Sequence, residues 1–353
     1  MICPHCEKNL LRKERPNNTC SRCRRAYALD PKTNSLGLSD LRVRRILAKM
    51  TEEGRIAVAP DQLWYALSRT HLRKSTFASG CAAPALVVGL VLGFVGVLSG
   101  TTPLLVGSGI LVLVSVGLAC ARAAGAGRGI PPMSRAEFRL KALMPWHHVY
   151  GGLPPGVVDD TAPVSPRART RELSGARPGA LLLCPDRSVI TFLIANGLPD
   201  RYGIALVKDL SAVHAQRPQG PVIVLHDADA RGELLVRRVR ESLGQRRVVD
   251  AGLPLRTLRR GRAVPCRDRN GRPDQETMAR LTALGEFTGE ELKWLGKGWG
   301  YPLVGVPPAR LLAAVTRVAE QVTGDTDPER RRAASVGFMT WPGSTAQDRA
   351  GER

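Results

Sequence analysis

The chain reads as a multi-domain protein: a small four-cysteine module, a short basic helical unit, an apolar helical hairpin, and a C-terminal α/β domain with a mainly parallel sheet. Three observations predict this. Four of the eight cysteines fall in the first 23 residues, as two Cys-x-x-Cys pairs. No charged residue occurs between Lys74 and Arg122. Short apolar runs alternate with helix-like stretches from Ala180 onward, and that alternation is the pattern of a parallel sheet with helices on its faces.

The first module, residues 1–28, pairs Cys3 and Cys6 with Cys20 and Cys23, thirteen residues lying between the pairs. Two such knuckles supply four thiolates for a tetrahedral Zn²⁺, so the module reads as a zinc ribbon. Four cysteines leave no open coordination position for a substrate, which marks the zinc as structural rather than catalytic. Residues 29–75 follow as a basic helical unit. Apolar residues at Leu41, Val43, Ile46, Leu47 and Met50 predict one helix, Arg55–Val58 a short strand, and Asp61–Leu72 a second helix. Residues 1–75 hold 16 Lys+Arg and 7 Asp+Glu, a difference of +9 within a chain of formal charge +21. That excess suits a polyanion or an anionic lipid surface.

Residues 76–124 read as a two-helix transmembrane hairpin. Ala78–Ser99 and Leu104–Ala121 each span about 27–33 Å as helix, enough for the hydrocarbon core, and Gly100–Pro103 makes the turn. Arg69, Arg73 and Lys74 before it, with Arg122, Arg128 and Arg135 after it, place both termini in the cytoplasm by the positive-inside rule. The expected setting is therefore the cell membrane, with the lipid bilayer as one partner. Residues 125–177 read as a juxtamembrane helix, opened by the capping box Ser134–Glu137, followed by a Pro-rich linker.

In the domain at 178–323, Ala180–Cys184, Ile204–Val207, Pro221–Leu225 and Arg247–Ala251 are predicted strands. Functional groups in such sheets gather at the carboxyl ends of strands, where the chain carries Cys184-Pro185-Asp186 and Asp227-Ala228-Asp229. Two carboxylates two residues apart suit Mg²⁺; the same aspartates equally suit helix N-caps and turn bonds. Both roles stay open at this level. Cys184 reads as a buried strand-end thiol, and residues 324–353 as a disordered tail.

The run Val222-Ile-Val-Leu-His-Asp227-Ala-Asp229-Ala-Arg-Gly232 resembles the Toprim domain of topoisomerases, primases and small nucleases, over roughly residues 178–255. The resemblance implies a Toprim- or Rossmann-like sheet, Mg²⁺ at Asp227 and Asp229, and phosphoryl-transfer chemistry on nucleic acid. It also implies a catalytic Glu at the end of the first strand, where this sequence has Cys184-Pro185-Asp186. Asp186 stands in a different register with a shorter side chain. Two functions follow. One is a non-enzymatic scaffold whose degenerate Toprim-like domain binds a protein partner. The other is a membrane-tethered, Mg²⁺-dependent nucleic-acid binder or nuclease using Asp227, Asp229 and Asp186.

Overall fold

Every residue of the two central strands is buried on both faces, which is the environment a parallel sheet requires. The computed structural model describes residues 1–73, 82–123, 128–161, 179–216, 220–261, 263–267 and 271–326. Most of the Pro-rich segment and the C-terminal tail expected from sequence thus lie outside the described residues, as does the start of the first apolar run.

After the cysteine module, α1 (Asp40–Met50) and α2 (Pro60–Arg73) form where the apolar spacing predicts them. The expected strand between them is a single parallel bridge, Val58 to Val157. Helices α3 (Ala82–Ser99) and α4 (Thr102–Ala123) then pack against each other as an apolar hairpin. Among the described residues one helix, Thr102–Cys120, is long and apolar enough to cross a membrane; the apolar part of its neighbour, Leu86–Ser99, is shorter. The hairpin contact is close. A Cβ placed on Gly89 or Gly96 would come within 3.2 Å of α4 side chains, and on Gly93 within 3.0 Å of Ser108.

Past the hairpin, α5 (Arg135–Phe138), a π-turn (Arg139–Leu143) and α6 (Met144–Tyr150) run on as one helical stretch. Ser134 and Glu137 make the expected capping box. Pro145 explains the wide turn: it lacks an N–H and its ring crowds the carbonyl four residues back, and the π-turn absorbs the mismatch.

The sheet is built from β1 (Ala180–Leu183), β2 (Ile204–Val207), β3 (Val222–Val224) and β4 (Val248–Asp250), all parallel, in the order β2-β1-β3-β4. Between them lie α7 (Arg187–Ala195), α8 (Leu198–Tyr202), α9 (Leu210–Gln216) and α10 (Ala230–Leu243). Side chains alternate along each strand. Leu181, Leu183, Val222 and Val224 pack with Val213, Val236 and Val239 on one face. Leu182, Ile204 and Ile223 face the other way, into a larger core shared with Phe192, Leu63, Trp64, Phe138 and Trp146. Helices from residues 40–73 and 135–150 therefore complete the hydrophobic layer beneath the sheet.

The chain continues through α11 (Leu255–Arg260), β5 (Cys266–Arg267), α12 (Gln275–Ala283), α13 (Gly289–Gly296), β6 (Trp299–Gly300) and α14 (Pro308–Thr326). Strands β5 and β6 form a small antiparallel pair. Helix α14 lines the larger core through Leu311, Val315, Ala319 and Val322.

Asn196 ties the N-terminal layer to the sheet: its side-chain amide donates to the Ala57 carbonyl and accepts from the Ala57 N–H, each at 3.0 Å. Asn196→Ala removes both bonds and is expected to lower stability by ~1–2 kcal/mol, read as a lower denaturant midpoint with an unchanged slope. An unshifted midpoint would mean that this junction contributes nothing.

Candidate functional site

The strand order places the topological switch between β1 and β3: the chain leaves β1 toward β2 on one side and returns to β3 on the other. A crevice opens at the carboxyl ends of strands so arranged, and Asp186, Asp227 and Asp229 all stand there.

Each of these carboxylates has a defined partner. Asp186 caps α7, its Oδ1 accepting from the N–H groups of Ser188 (2.8 Å) and Val189 (3.3 Å). Asp229 caps α10 through the Gly232 N–H at 2.7 Å. Asp227 accepts from the Leu303 N–H at 2.7 Å. Between the two aspartates, Ala228 exchanges backbone hydrogen bonds with Tyr301, 3.0 and 3.1 Å, so the loop is braced by the segment that follows β6. Gly232 is required here: a Cβ would lie 2.0 Å from the Asp227 carbonyl oxygen.

Charge at the crevice is answered from within the chain. Arg135 Nη1 lies 3.0 Å from Asp61 and 3.3 Å from Asp186. Arg139 Nη2 lies 2.7 Å from both Asp61 and Asp160, and Asp160 also accepts from the Ser188 hydroxyl. Burial opposes the Arg135 charge, but the carboxylates of Asp186, Asp61 and Asp227 outweigh it and hold its pKa above the ordinary value. Burial raises Asp61 against the pull of both arginines. Asp227 is pushed up to about 7, first by burial, with the nearby charges of Asp229 and Asp186 adding to it.

Arg135, Asp227, Asp229, Arg231, Trp299 and Tyr301 line a cavity of about 140 Å³. That is room for a few waters or a hydrated ion, and well below the roughly 300–1,000 Å³ of clefts that enclose drug-sized ligands. Its aromatic wall continues outward. Trp294 stacks on Trp299 and Tyr301 at 6.1 and 5.5 Å between centroids, with Arg259 over Trp294 and Arg267 over Trp299.

Next to the crevice, His226 is buried, with Nδ1 2.8 Å from the Asp227 carbonyl and Nε2 3.2 Å from Asp250. Both ring nitrogens face acceptors, so both carry protons when these bonds are made. Burial lowers its pKa, but the Asp250 and Asp227 bonds outweigh that and raise it. Cys184 is fully buried, and burial raises its thiol well above the usual range, consistent with a packed strand-end thiol.

The second cluster is the cysteine module. The Sγ atoms of Cys3, Cys6, Cys20 and Cys23 all lie within 4.8 Å of one another. Cys3–Cys23 and Cys6–Cys20 are separated by 3.8 Å, too far for a disulfide bond of ~2.05 Å. A tetrahedron with metal–sulfur bonds of ~2.3 Å has edges of about this length. The two knuckles repeat one conformation: Glu7 and Arg24, both at φ 57°, donate to the carbonyls of Cys3 and Cys20. The four thiols can thus hold a metal ion such as zinc. His5 stands apart, its Nε2 on the Ala26 carbonyl. Among the described residues this is the group of three or more metal-ligating side chains that converges on one point.

Comparison with protein families, with curated proteins and with solved structures finds no match to this chain.

Sequence reasoning brings Asp186, Asp227 and Asp229 to the same crevice, but it misses Asp61, Arg139 and Asp160 and gives Arg135 only a membrane-flanking role. Arg135 and Asp61 lie 74 residues apart, and no local pattern encodes that pairing. The aromatic wall was hidden too, being spread over residues 294–301.

Because Asp227 is raised from 3.8 to about 7 in the fold, its contribution to stability is full below pH ~4 and is lost as pH rises through about 7. Asp227→Asn keeps the acceptor for Leu303 and abolishes the titration. The variant is expected to gain on the wild type by roughly 4 kcal/mol between pH 4 and 8, measured by denaturant unfolding across pH. A pH-independent difference between the two proteins would contradict the shift.

Proposed function

We propose that this chain is a membrane-anchored, cytoplasm-facing scaffold protein with a structural zinc, whose degenerate Toprim-like domain serves as a non-enzymatic interaction module. The observation that carries this reading is the occupancy of the acidic crevice. Asp186 and Asp229 are spent on helix caps, Asp227 on a backbone amide, and the Arg135 guanidinium stands against Asp186 and Asp61. Unanswered negative charge favours recruitment of Mg²⁺; here Arg135 sets an internal cation beside Asp186, and one oxygen of each of Asp227 and Asp229 already accepts a backbone N–H. The missing first-strand Glu points the same way.

In this reading both α3 and α4 cross the bilayer, joined outside by the turn at Gly100 and Thr101, with both termini in the cytoplasm. Support comes from the uninterrupted absence of charge from Ser75 to Ala121 and the basic residues on both flanks. Zinc at Cys3, Cys6, Cys20 and Cys23 folds a module too small to bury a core by itself.

A second reading, a tethered Mg²⁺-dependent nuclease or nucleic-acid binder, is favoured by one observation: Asp227 and Asp229 line the same cavity as Arg231 at the switch point.

A Mn²⁺ and Mg²⁺ titration of the detergent-solubilised full chain separates the two, with cleavage of labelled DNA and RNA assayed in parallel. The scaffold reading expects about one zinc per chain, lost in Cys20→Ser, with no saturable Mg²⁺ or Mn²⁺ site and no cleavage. Saturable Mn²⁺ binding abolished by Asp227→Asn, together with cleavage, would overturn it in favour of the nuclease. Steeply salt-dependent DNA affinity would also count against a protein-binding scaffold.

A further inference from the structure

The helical stretch at 135–150 has two unlike faces. Its inner face carries Phe138, Ala142, Leu143 and Trp146, all buried in the larger core. Its outer face carries Leu140 and Met144, which remain 61% and 60% exposed. Among the described residues, the other exposed large apolar side chains are Ile2 and Leu11 of the cysteine module and those of the hairpin helices. Leu140 and Met144 stand one turn apart, so they form one apolar strip. Lys141, which pairs with Glu137 at 3.0 Å, and the exposed His147 and His148 border it.

Among the described residues, packing does not account for this strip, since the helix already buries its opposite side. Its position does. The stretch begins twelve residues after the end of α4 at Ala123. The two flanks of the hairpin meet at the body surface, where the Gly129 N–H donates to the Leu72 carbonyl at 3.1 Å. Gly129 is fixed there on its other side as well: its carbonyl accepts from the Arg267 N–H at 2.7 Å, and a Cβ on it would strike the Trp299 ring. Six extended residues and five helical ones put Leu140 at most roughly 30 Å from that exit point. An apolar strip bordered by Lys and His, this close to where the chain enters an apolar hairpin, matches the chemistry of helices that lie in the headgroup region.

We propose that the outer face of residues 135–150, led by Leu140 and Met144, rests in the boundary between headgroups and acyl chains of the bilayer that holds the hairpin. The inference rests on the membrane reading above. It gives that reading a second contact, which orients the body on the lipid surface. Arg135 opens the same helical stretch, so this contact also fixes the height of the acidic crevice above the membrane.

The test uses the full chain in nanodiscs of phosphatidylcholine and phosphatidylglycerol. The photoreactive residue p-benzoylphenylalanine replaces, one at a time, Leu140, Met144, Val91 on the hairpin, or the exposed Glu241 on α10. Illumination is followed by intact-mass detection of lipid or protein adducts. Lipid adducts at 140 and 144, at yields near that of position 91 and roughly tenfold above position 241, are the expected result. Adducts at 91 with none at 140 and 144, or a protein adduct at those two positions, would overturn the inference and leave the hairpin reading intact. Absence of lipid adducts at 91 would overturn the membrane reading itself. Leu140→Gln and Met144→Gln, which keep the helix, are expected to raise exchange of backbone amides 139–148 with deuterium in the full chain in nanodiscs, and unchanged exchange would overturn the contact.

Discussion

Two guanidiniums on one helical stretch, Arg135 and Arg139, hold carboxylates from three separate parts of the chain: Asp61 on α2, Asp160 before the sheet, and Asp186 at the end of β1. The Asp61 side chain is 8% exposed and that of Asp160 is 3% exposed, so the charges are largely withdrawn from water. Buried charges on this scale are tolerable only when paired and hydrogen-bonded. The pairing therefore constrains the fold. The helix after the hairpin must lie across the carboxyl edge of the sheet, and α2 must lie beside it.

That constraint decides the chemistry of the crevice. A parallel sheet with this strand order offers an open edge at its switch point, and two aspartates flank one residue there. In an empty crevice their negative charge would draw a divalent cation. In this protein the helix that follows the apolar hairpin delivers a cation of its own, Arg135, paired with Asp186 at the same edge. One oxygen of each aspartate also serves structure, as caps of α7 and α10 and as the acceptor for Leu303. The same edge is closed from above by the Trp294–Tyr301 aromatic wall, which leaves a cavity fit for waters.

The elements that sequence discloses are those with local causes. Three short apolar runs become the buried strands β1, β2 and β3, and the shorter Val248–Asp250 pairs beside them as the half-exposed edge strand β4. Ser134 and Thr288 open helices with Glu three positions on, and both boxes form. The cysteine spacing brings four sulfurs together because each knuckle is a closed local turn. What stays hidden depends on long-range placement. Residues 29–75 and the first part of 125–177 read as a separate unit and a linker, yet Leu63, Trp64, Phe138 and Val157 share a core with the sheet. Their apolar faces are ordinary amphipathic patterns, and nothing in such a pattern names its partner. The roles of Asp227 and Asp229 stay open in the sequence for a similar reason: an Asp before a helix fits a ligand, a turn bond or a cap, and the bonds to Leu303 and Gly232 show only in the fold.

The most direct test of this account is a double-mutant cycle between Arg135→Met and Asp186→Asn, read by denaturant unfolding of the full chain. Asp186→Asn retains the side-chain oxygen that caps α7, so the cycle isolates the charge interaction. The account expects a coupling of about 1–2 kcal/mol, given that Arg135 is partly exposed to solvent. Additive effects within about 0.3 kcal/mol would show that the guanidinium does not neutralise the crevice. In that case the carboxylates would carry unanswered charge, and a bound metal ion would become the better account of the site.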